Sequence, residues 1–470
     1  MSSSLKLSRR NFLQSAGSAI LGSGLATTLG NFAANAANTS GYKALVCLFF
    51  KGGIDCHDTL FPYDTTSYNR YTELRPSLLS DYEAQPGGST RLRSELLELS
   101  PLNSSDFGSR AFALPPELSG LHSLFENGNA AIVPNVGPLL RPMNRTLYND
   151  DINARPLRLF SHNDQQSTWM GLAPEGQRFG WGGRFADAVQ ASNANVNNTF
   201  TAISVSGNDL FLSGENAFQF QINNGGALTI RDLDQPSLLG AGRNSAILPA
   251  LLTEHFTGNR NGDIFERDVA TITGRAIDSN QLFNEAIGTT SPFTVSFPDT
   301  SLGKNLRVIA ETLGARNTLA VNRQVFYVAT GGFDTHSNQA GDLPRLQRSF
   351  DEAISAFYTA TVELGIENDV TLFTASDFGR TLIINGDGTD HGWGGHHFVV
   401  GGAVNGRRIL GDVPPFDVDH DQDVGRGRLI PTTSIEQFAA PLGSWFGLTN
   451  DETIAALPRL PSFGAIPNII

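Results

Sequence analysis

Cysteine, lysine and long apolar runs are the features that this sequence has least of. The 470 residues include 2 cysteines, Cys47 and Cys56, so at most one disulfide could form. Cys47 lies in the strand-like run LVCLFF, and Cys56 follows a glycine turn. A bond between them would have to fold that turn back onto the strand. We therefore expect two unpaired thiols.

Positive charge is also scarce. The formal net charge is −13, four residues are lysines, and no polybasic run occurs. This balance excludes nucleic acid as a partner, because binding to phosphate backbones relies on clustered Lys and Arg. After the N-terminal region, no apolar run reaches the roughly 18 residues of a membrane span. We expect a mature protein that is soluble outside the cytoplasm.

The N-terminus carries an export pattern. Ser8-Arg9-Arg10-Asn11-Phe12-Leu13 precedes a weakly apolar stretch that ends at Ala34-Asn35-Ala36. Twin arginines, a mild apolar region and a small-x-small end are typical of a twin-arginine signal peptide. We expect residues 1–36 to engage the twin-arginine translocase, and the product to be periplasmic or extracellular. The alternative is an amphipathic N-terminal helix. The pathway exports folded proteins, often with a cofactor already inserted.

Three strand-like runs each place an aspartate just past their C-terminal end. Asp55 follows LVCLFFKGG, Asp334 follows VFYVATGGF, and Asp377 follows VTLFTAS. Residues 323–378 read strand, helix, strand, which predicts two parallel strands. The functional crevice of an open parallel sheet lies outside the carboxyl ends of its strands. The three aspartates, with His336, are expected there.

The rest of the chain fits a single α/β domain over residues 37–470. Residues 81–110 and 192–300 are polar, weakly periodic and rich in Asn, Ser and Gly, so we interpret them as loop insertions. Further strands are predicted at 130–137, 155–160, 199–207 and 397–404, and helices around 117–127, 180–191, 302–315 and 434–446.

Aspartates and histidines at these strand ends suggest a metal site. Carboxylates held close together raise one another's pKa, and a bound cation removes that penalty. Asp and neutral His suit Zn²⁺, Mn²⁺, Mg²⁺ or Ca²⁺. The alternative is that an Asp after a glycine turn caps a helix. The candidate ligands are Asp55, Asp334, His336, Asp377 and His391.

Several longer motifs resemble a known family. They are FFKGGIDCHDTLFPY, FSHNDQQSTWMG, GGFDTHSNQ, TASDFGRTLIINGDGTDHGWGGHHFVVGG and PTTSIEQFAAPLGSWFG, together with the N-terminal SRRNFL. The chain resembles the bacterial secreted family known as domain of unknown function 1501, which is placed in the alkaline phosphatase superfamily. The resemblance covers nearly the whole chain.

The resemblance implies a fold and a site. The fold would be a three-layer α/β/α sandwich with a mostly parallel central sheet, carrying one or two divalent metals at the strand ends. Asp55, Asp334, His336 and Asp377 resemble the superfamily's ligands, and His391 or His396 its late histidine. Two departures stand out. Phe378 follows Asp377 where the superfamily usually has histidine, and one residue separates Asp334 from His336 instead of three. A single-metal or degenerate site is therefore one of the expectations.

The resemblance also implies hydrolysis of phosphate or sulfate esters. The sequence has no Cys-x-Pro-x-Arg motif for a modified cysteine. Ser161, after the predicted strand RPLRLF, is the candidate nucleophile, with His162 as base or ligand. The alternative is that Ser161 caps the following helix. Arg380 could clamp the anionic ester through its planar fork, or pair with a neighbouring carboxylate.

These observations predict an exported metal-dependent hydrolase that acts on an anionic ester, either a small molecule or a polymer. The rival hypothesis is a non-catalytic exported protein that keeps the fold for binding or for surface assembly. Phe378 and the uncertain nucleophile favour the rival, whereas the acids and histidines at strand ends favour the enzyme.

Overall fold

The computed structural model of the protein describes residues 38, 40–86, 90–228, 253–255, 257–258 and 264–470. The predicted signal peptide, residues 1–36, lies outside the described residues. A membrane-spanning segment is not found among the helices of the described part. Both cysteines there are buried free thiols.

The strands, in chain order, are β1 (Lys43–Phe50), β2 (Phe61–Pro62), β3 (Leu97–Glu98), β4 (Phe112–Leu114), β5 (Ala130–Gly137), β6 (Ala202–Ser204), β7 (Phe220–Asn223), β8 (Gly226–Ala227), β9 (Arg323–Thr330), β10 (Val370–Ser376), β11 (Arg380–Asn385), β12 (Gly388–His391), β13 (Gly395–Val400) and β14 (Thr433–Ser434). The α-helices are α1 (Thr65–Leu74), α2 (Pro76–Ala84), α3 (Ser119–Glu126), α4 (Arg145–Asp150), α5 (His162–Gly171), α6 (Trp181–Ala191), α7 (Ile264–Gly288), α8 (Ser301–Gly314), α9 (Gln339–Glu363), α10 (Ile435–Phe446) and α11 (Asn450–Ala456).

A mostly parallel sheet forms the centre of the molecule. Its strand order is β14-β5-β13-β10-β1-β9-β6-β7-β8. The five strands from β10 to β7 pair in parallel, whereas β13 and β8 run antiparallel to their neighbours. Strands β9 and β10 of the predicted strand–helix–strand unit are parallel, and β1 lies between them.

Strand β1 explains why the fold has three layers. Alternate side chains of a strand point to opposite faces of the sheet, and both faces of β1 are buried. One set, Val46, Leu48 and Phe50, packs in the core with α3, α8 and α9. The other set, Leu45, Cys47 and Phe49, packs with α5, α6 and α10. Each fully buried large side chain contributes about 1.5–3 kcal/mol. The predicted α/β/α sandwich is confirmed.

The carboxyl ends of the central strands meet at one edge. Phe50 pairs with Thr330 of β9 and with Ser376 of β10, so the three chains leave the sheet at the same level. The aspartates that follow them therefore all lie at this edge, as predicted.

The Gly52–Gly53 pair after β1 is required by close packing at this edge. Both residues have positive φ angles, 115° and 83°, which favour glycine. A Cβ on Gly52 would overlap the backbone nitrogen of Asp334, and one on Gly53 would overlap the ring of Phe378. The two glycines let the β1 loop lie directly against the two loops that carry the candidate site.

One sequence-based assignment was wrong, and one region contributes more strands than expected. Residues 155–160 form a turn, not a strand, because Arg158 and Phe160 adopt left-handed backbone angles of 54° and 70°. Within 192–300, interpreted as an insertion, β6, β7 and β8 extend the main sheet. The strands predicted at 130–137, 199–207 and 397–404 are present as β5, β6 and β13, and the four predicted helices are α3, α6, α8 and α10.

Candidate metal centre

Three imidazole groups converge on one carboxylate at the carboxyl edge of the sheet. The Nε2 atoms of His336 and His391 lie 3.1 Å and 3.3 Å from Oδ1 of Asp334. The Nε2 atom of His162 lies 3.4 Å from Oδ2 of the same carboxylate. Three separate segments of the chain supply the four residues of this cluster, which we call the Asp334 cluster: His162, Asp334, His336 and His391.

His162 is oriented by Asp377. It is the first residue of α5, and its Nδ1 lies 2.7 Å from Oδ2 of Asp377, a fully buried carboxylate at the end of β10. Gln166 Nε2 and the Gly52 backbone N–H donate to the same oxygen, at 3.0 Å and 3.2 Å. The hydrogen bond to Asp377 raises the pKa of His162 above its ordinary value. When the His162 ring is neutral and its proton is on Nδ1, its Nε2 lone pair faces Asp334.

His391 is oriented by a backbone carbonyl. Its Nδ1 lies 2.8 Å from the oxygen of Phe160. The left-handed backbone of Phe160 belongs to the turn at 155–160, so this turn has a positioning role that a strand could not have. Burial lowers the pKa of His391. The neutral ring therefore also turns an unprotonated Nε2 towards Asp334.

His336 completes the set of three. Its Nδ1 lies 3.5 Å from Oδ1 of Asp390, and its Nε2 lies 2.9 Å from Nε2 of His391. If both rings carry their proton on Nδ1, two nitrogen lone pairs face each other across 2.9 Å. Lone pairs repel, so this arrangement requires a proton or a cation between them.

Asp334 is kept ionised by Arg380. Arg380 Nη1 donates to Asp334 Oδ1 at 2.9 Å, and the Arg380 side chain is fully buried. Burial alone would raise the pKa of Asp334, but the hydrogen bond and charge of Arg380 outweigh it and hold that pKa below its usual range. The alternative role kept for Arg380 in the sequence, an ion pair with a neighbouring carboxylate, is the one observed.

The donor set fits a divalent cation. Among the described residues, His162, Asp334 and His391 each place one ligand atom within 4.8 Å of the others. Nitrogen and oxygen ligands at roughly 2.0–2.1 Å from a tetrahedral Zn²⁺ would lie roughly 3.3 Å apart. The separations from the Asp334 carboxylate are close to that edge length: 3.1 Å and 3.3 Å from Oδ1 to His336 and His391, and 3.4 Å from Oδ2 to His162. Histidine ligands whose Nδ1 is held by a carboxylate or carbonyl are typical of such sites.

Asp55 does not join this cluster, contrary to the expectation for it. Both its carboxylate oxygens are taken by Arg75, at 2.7 Å and 3.2 Å, and Gln339 Nε2 donates to Oδ2 at 2.7 Å. Burial raises the pKa of Asp55, but Arg75 outweighs it and the net shift is downward. The Asp55 side chain is completely buried, so we assign it to a structural ion pair.

His396 is also placed away from the cluster. It is buried in β13, and its Nδ1 accepts a hydrogen bond from the backbone N–H of Asn135 at 2.9 Å. Burial lowers its pKa to about 4. Of the two late histidines, His391 is therefore the one that reaches the site. Asp377 reaches it through His162, with its Oδ2 occupied by three donors.

Ser161 does not cap α5 through its side chain, and it is not hydrogen-bonded to His162. It occupies the N-cap position of α5, but its side chain accepts no backbone N–H. Its hydroxyl donates instead to Oδ2 of Asp164 at 2.9 Å. Asp164 lies in the first turn of the helix, where a carboxylate is favoured. The hydroxyl is therefore engaged with an acid and not with His162.

Sequence analysis missed three supports of the cluster: Phe160, Gln166 and Asp390. Gln166 lies one helical turn after His162, a spacing that could have indicated a shared target. Asp390 immediately precedes His391. Phe160 acts through its carbonyl oxygen, which no side-chain pattern reports.

The chain belongs to a family described as "Protein of unknown function (DUF1501)", whose model matches residues 42–457. This confirms the resemblance drawn from the motifs. None of the curated proteins compared with the chain matches it.

Some solved structures are distantly similar. The C-terminal periplasmic domain of EcEptC from Escherichia coli, in complex with Zn, shares 11% identity at a TM-score of 0.31, over 91% of this chain and 89% of that chain. Ps i-CgsB shares 8% sequence identity with this chain at a TM-score of 0.32, over 90% of this chain and 76% of that chain. Ps i-CgsB in complex with k-i-k-neocarrahexaose shares 10% sequence identity at a TM-score of 0.31, over 88% of this chain and 74% of that chain. Likenesses at this level carry no argument about the site.

Proposed function

We propose that the protein binds a divalent cation at the Asp334 cluster and hydrolyses an anionic phosphate or sulfate ester there. The observation that carries the proposal is the common orientation of three imidazoles. Each has Nδ1 next to an acceptor and Nε2 next to Asp334. A divalent cation would supply a Lewis acid that polarises an ester oxygen.

The types of ligand atom favour some divalent metals over others. Imidazole nitrogens together with a carboxylate favour Zn²⁺ or Mn²⁺ over Mg²⁺ and Ca²⁺, which prefer all-oxygen ligands. The set also favours a single ion. The ring of Phe378 lies 4.9 Å from the His162 ring and 4.6 Å from the His391 ring, centroid to centroid. An apolar ring thus stands beside the cluster where the superfamily would supply another histidine.

Charge at the site favours an anionic substrate. Two arginines, Arg380 and Arg426, pair with the carboxylates of Asp334 and Asp390. A divalent cation added to this nearly balanced set leaves an excess of positive charge. Such a field attracts anions and raises their local concentration.

Water is the nucleophile in this proposal. Ser161 is not bonded to His162, the base considered for it, because its hydroxyl donates to Asp164 and His162 contacts Asp377. The sequence-based assignment of Ser161 as a nucleophile is therefore replaced, and His162 is assigned to metal binding with Asp377 behind it. Arg380 holds Asp334 in place and is too buried to clamp a substrate.

The test is metal-dependent hydrolysis. Protein loaded with Zn²⁺ or Mn²⁺ should contain about one ion per chain and cleave at least one ester in a panel of phosphomonoesters, phosphodiesters and sulfate esters. Activity should fall to background in His391→Ala, whereas Ser161→Ala should retain most of it. His122→Ala is the matched control, since His122 contacts the backbone oxygen of Glu98 and not the cluster.

Three results would count against the proposal. If wild-type protein binds neither Zn²⁺ nor Mn²⁺, the proposal of a metal-dependent hydrolase is refuted. Loss of activity in Ser161→Ala alone would restore the serine mechanism. A metal-loaded protein that cleaves no ester but binds anions would support the rival function, a non-catalytic exported binding or surface-assembly protein.

Export through the twin-arginine pathway is also a proposal, and the N-terminal motif supports it. The double variant Arg9→Lys, Arg10→Lys should leave the precursor in the cytoplasm, because the translocase reads the arginine pair and not only positive charge. Lys6→Gln, which changes charge outside the pair, should be exported normally. Cell fractionation measures both. Normal secretion of the double-Lys variant would refute the assignment and, with it, the periplasmic or extracellular location.

A further inference from the structure

We propose that Arg428 is the side chain that binds the tetrahedral oxyanion of the substrate. This inference rests on the proposed function and adds the residue that recognises the anionic group. It starts from the finding that Arg380, the arginine expected in this role, is fully buried and bonded to Asp334, Gly52 and Thr389.

Arg380 uses four of its five N–H donors within the protein, and its side chain is fully buried. Its Nε donates to Thr389 Oγ1 at 2.8 Å, and its Nη2 donates to the Thr389 carbonyl. Its Nη1 donates to Asp334 and to the Gly52 carbonyl at 2.9 Å and 3.0 Å. A guanidinium that is buried and bonded in this way positions Asp334. An anion at the cluster needs a different arginine.

Arg428 is fixed beside the cluster. Its Nε donates to the carbonyl oxygen of His391 at 2.9 Å, and its Nη1 donates to that of Gly425 at 3.3 Å. Its guanidinium carbon lies 5.3 Å from the centre of the Phe160 ring, within the range of a cation–π contact. Phe160 and His391 are themselves joined by a hydrogen bond, so Arg428 is held by two residues that build the metal centre.

The charge of Arg428 is not neutralised by the protein. Among the described residues, its hydrogen bonds go to carbonyl oxygens, and no carboxylate forms an ion pair with it. Two neighbouring arginines differ in this respect, because Arg426 pairs with Asp390 and Arg158 pairs with Asp164. Arg428 is half-buried, so part of its hydration is lost without an ionic partner.

A tetrahedral oxyanion supplies the missing partner. The planar guanidinium matches phosphate and sulfate oxygens through paired N–H donors, and it is held in place before the ligand arrives. Phosphate and sulfate esters share this chemistry, so the proposal names the oxyanion and leaves the ester type to the measurement. A neutral carboxylic ester would gain nothing from Arg428.

Binding of inorganic phosphate and of sulfate to the metal-loaded protein tests this role. Arg428→Gln should weaken binding of the preferred anion by at least about tenfold, the scale of a hydrogen bond to a charged group. The anion affinity of Arg428→Lys should lie between those of wild type and Arg428→Gln, since lysine keeps the charge but loses the paired N–H donors of the guanidinium. The matched control is Arg348→Gln, an exposed position on α9 with the same change of net charge. In kinetics, KM for the ester should rise more than kcat falls.

Metal affinity, measured by competition with a chelator, separates this proposal from the one on which it rests. Both Arg428 variants should bind the ion as tightly as wild type. Unchanged anion binding in Arg428→Gln with metal intact would overturn the role of Arg428 and leave the proposed function standing. Loss of the ion in both variants would show that Arg428 only supports His391. Wild-type protein that holds the ion but binds neither anion would also overturn it.

Discussion

Asp334→Asn should weaken binding of Zn²⁺ or Mn²⁺ by more than about 100-fold. Loss of a residue that merely supports a metal ligand typically costs 10- to 100-fold, and Asp334 is the shared neighbour of all three imidazoles. The amide keeps the size of the side chain and an acceptor for Arg380, so the variant isolates the loss of the negative charge. Competition with a chelator measures the affinity.

Thermal melting gives a second measurement of the same variant. Wild-type protein should melt at a higher temperature when metal is added, because a ligand that binds only the folded state stabilises it. Asp334→Asn should lose most of that increase. Asp342→Asn is the control, since it removes a carboxylate from the first turn of α9, away from the cluster. Equal metal affinity in Asp334→Asn and wild type would refute the assignment of Asp334 as a ligand.

Asp55→Asn should have the opposite outcome, with stability lost and metal binding kept. Asp55 and Arg75 are both completely buried, and removing one partner leaves the other charge unpaired. Breaking a buried ion pair in this way costs about 3–5 kcal/mol of unfolding free energy. Urea unfolding measures that loss, and the metal content of the folded fraction should still be about one ion per chain.

A double variant keeps this prediction testable if Asp55→Asn does not fold. Asp55→Leu with Arg75→Met replaces both charges by apolar groups of similar size, so most of the stability should return. Loss of metal in this folded double variant would identify Asp55 as a ligand after all. The pair also has a pH signature. Because the pKa of Asp55 is lowered in the folded state, the pair stabilises the protein at neutral pH, and this contribution is lost as the pH falls through that lowered pKa.

The contrast between Asp334 and Asp55 shows what strand ends can predict. The apolar runs placed both acids at the same edge of the sheet, because parallel neighbours end at the same level. The partner of each acid comes from elsewhere. Arg75 lies at the junction of α1 and α2, and no pattern in the sequence connects it with Asp55. The position of each aspartate at the edge of the sheet could be predicted, but its ion-pair partner could not.

The turn at 155–160 shows a second limit. Its letters, RPLRLF, include apolar residues at strand-like spacing, so it was interpreted as a strand. Backbone angles decide otherwise, since Arg158 and Phe160 are left-handed and this conformation leaves little signal in residues other than glycine. His162 was identified from the sequence, but the hydrogen bond of the neighbouring Ser161 to Asp164 was not.

Two short strands were missed for a related reason. β7 and β8 have 4 and 2 residues, too few to show a period. Their membership in the sheet follows from pairing with neighbours, because β7 pairs with β6 and β8 pairs with β7. The long central strands β1, β9 and β10 were found because their buried runs are unambiguous.

The Asp334 cluster draws its four residues from positions 162, 334, 336 and 391, which span more than two hundred residues of chain. On the proposed function, a bound ion would therefore act as a cross-link that closes long loops. The entropy that such a link removes from the unfolded chain grows with loop length. Both cysteines of the chain are buried free thiols, so no disulfide provides such a cross-link. Folding and metal loading would then be one event, and a chain exported in the folded state would carry its ion with it.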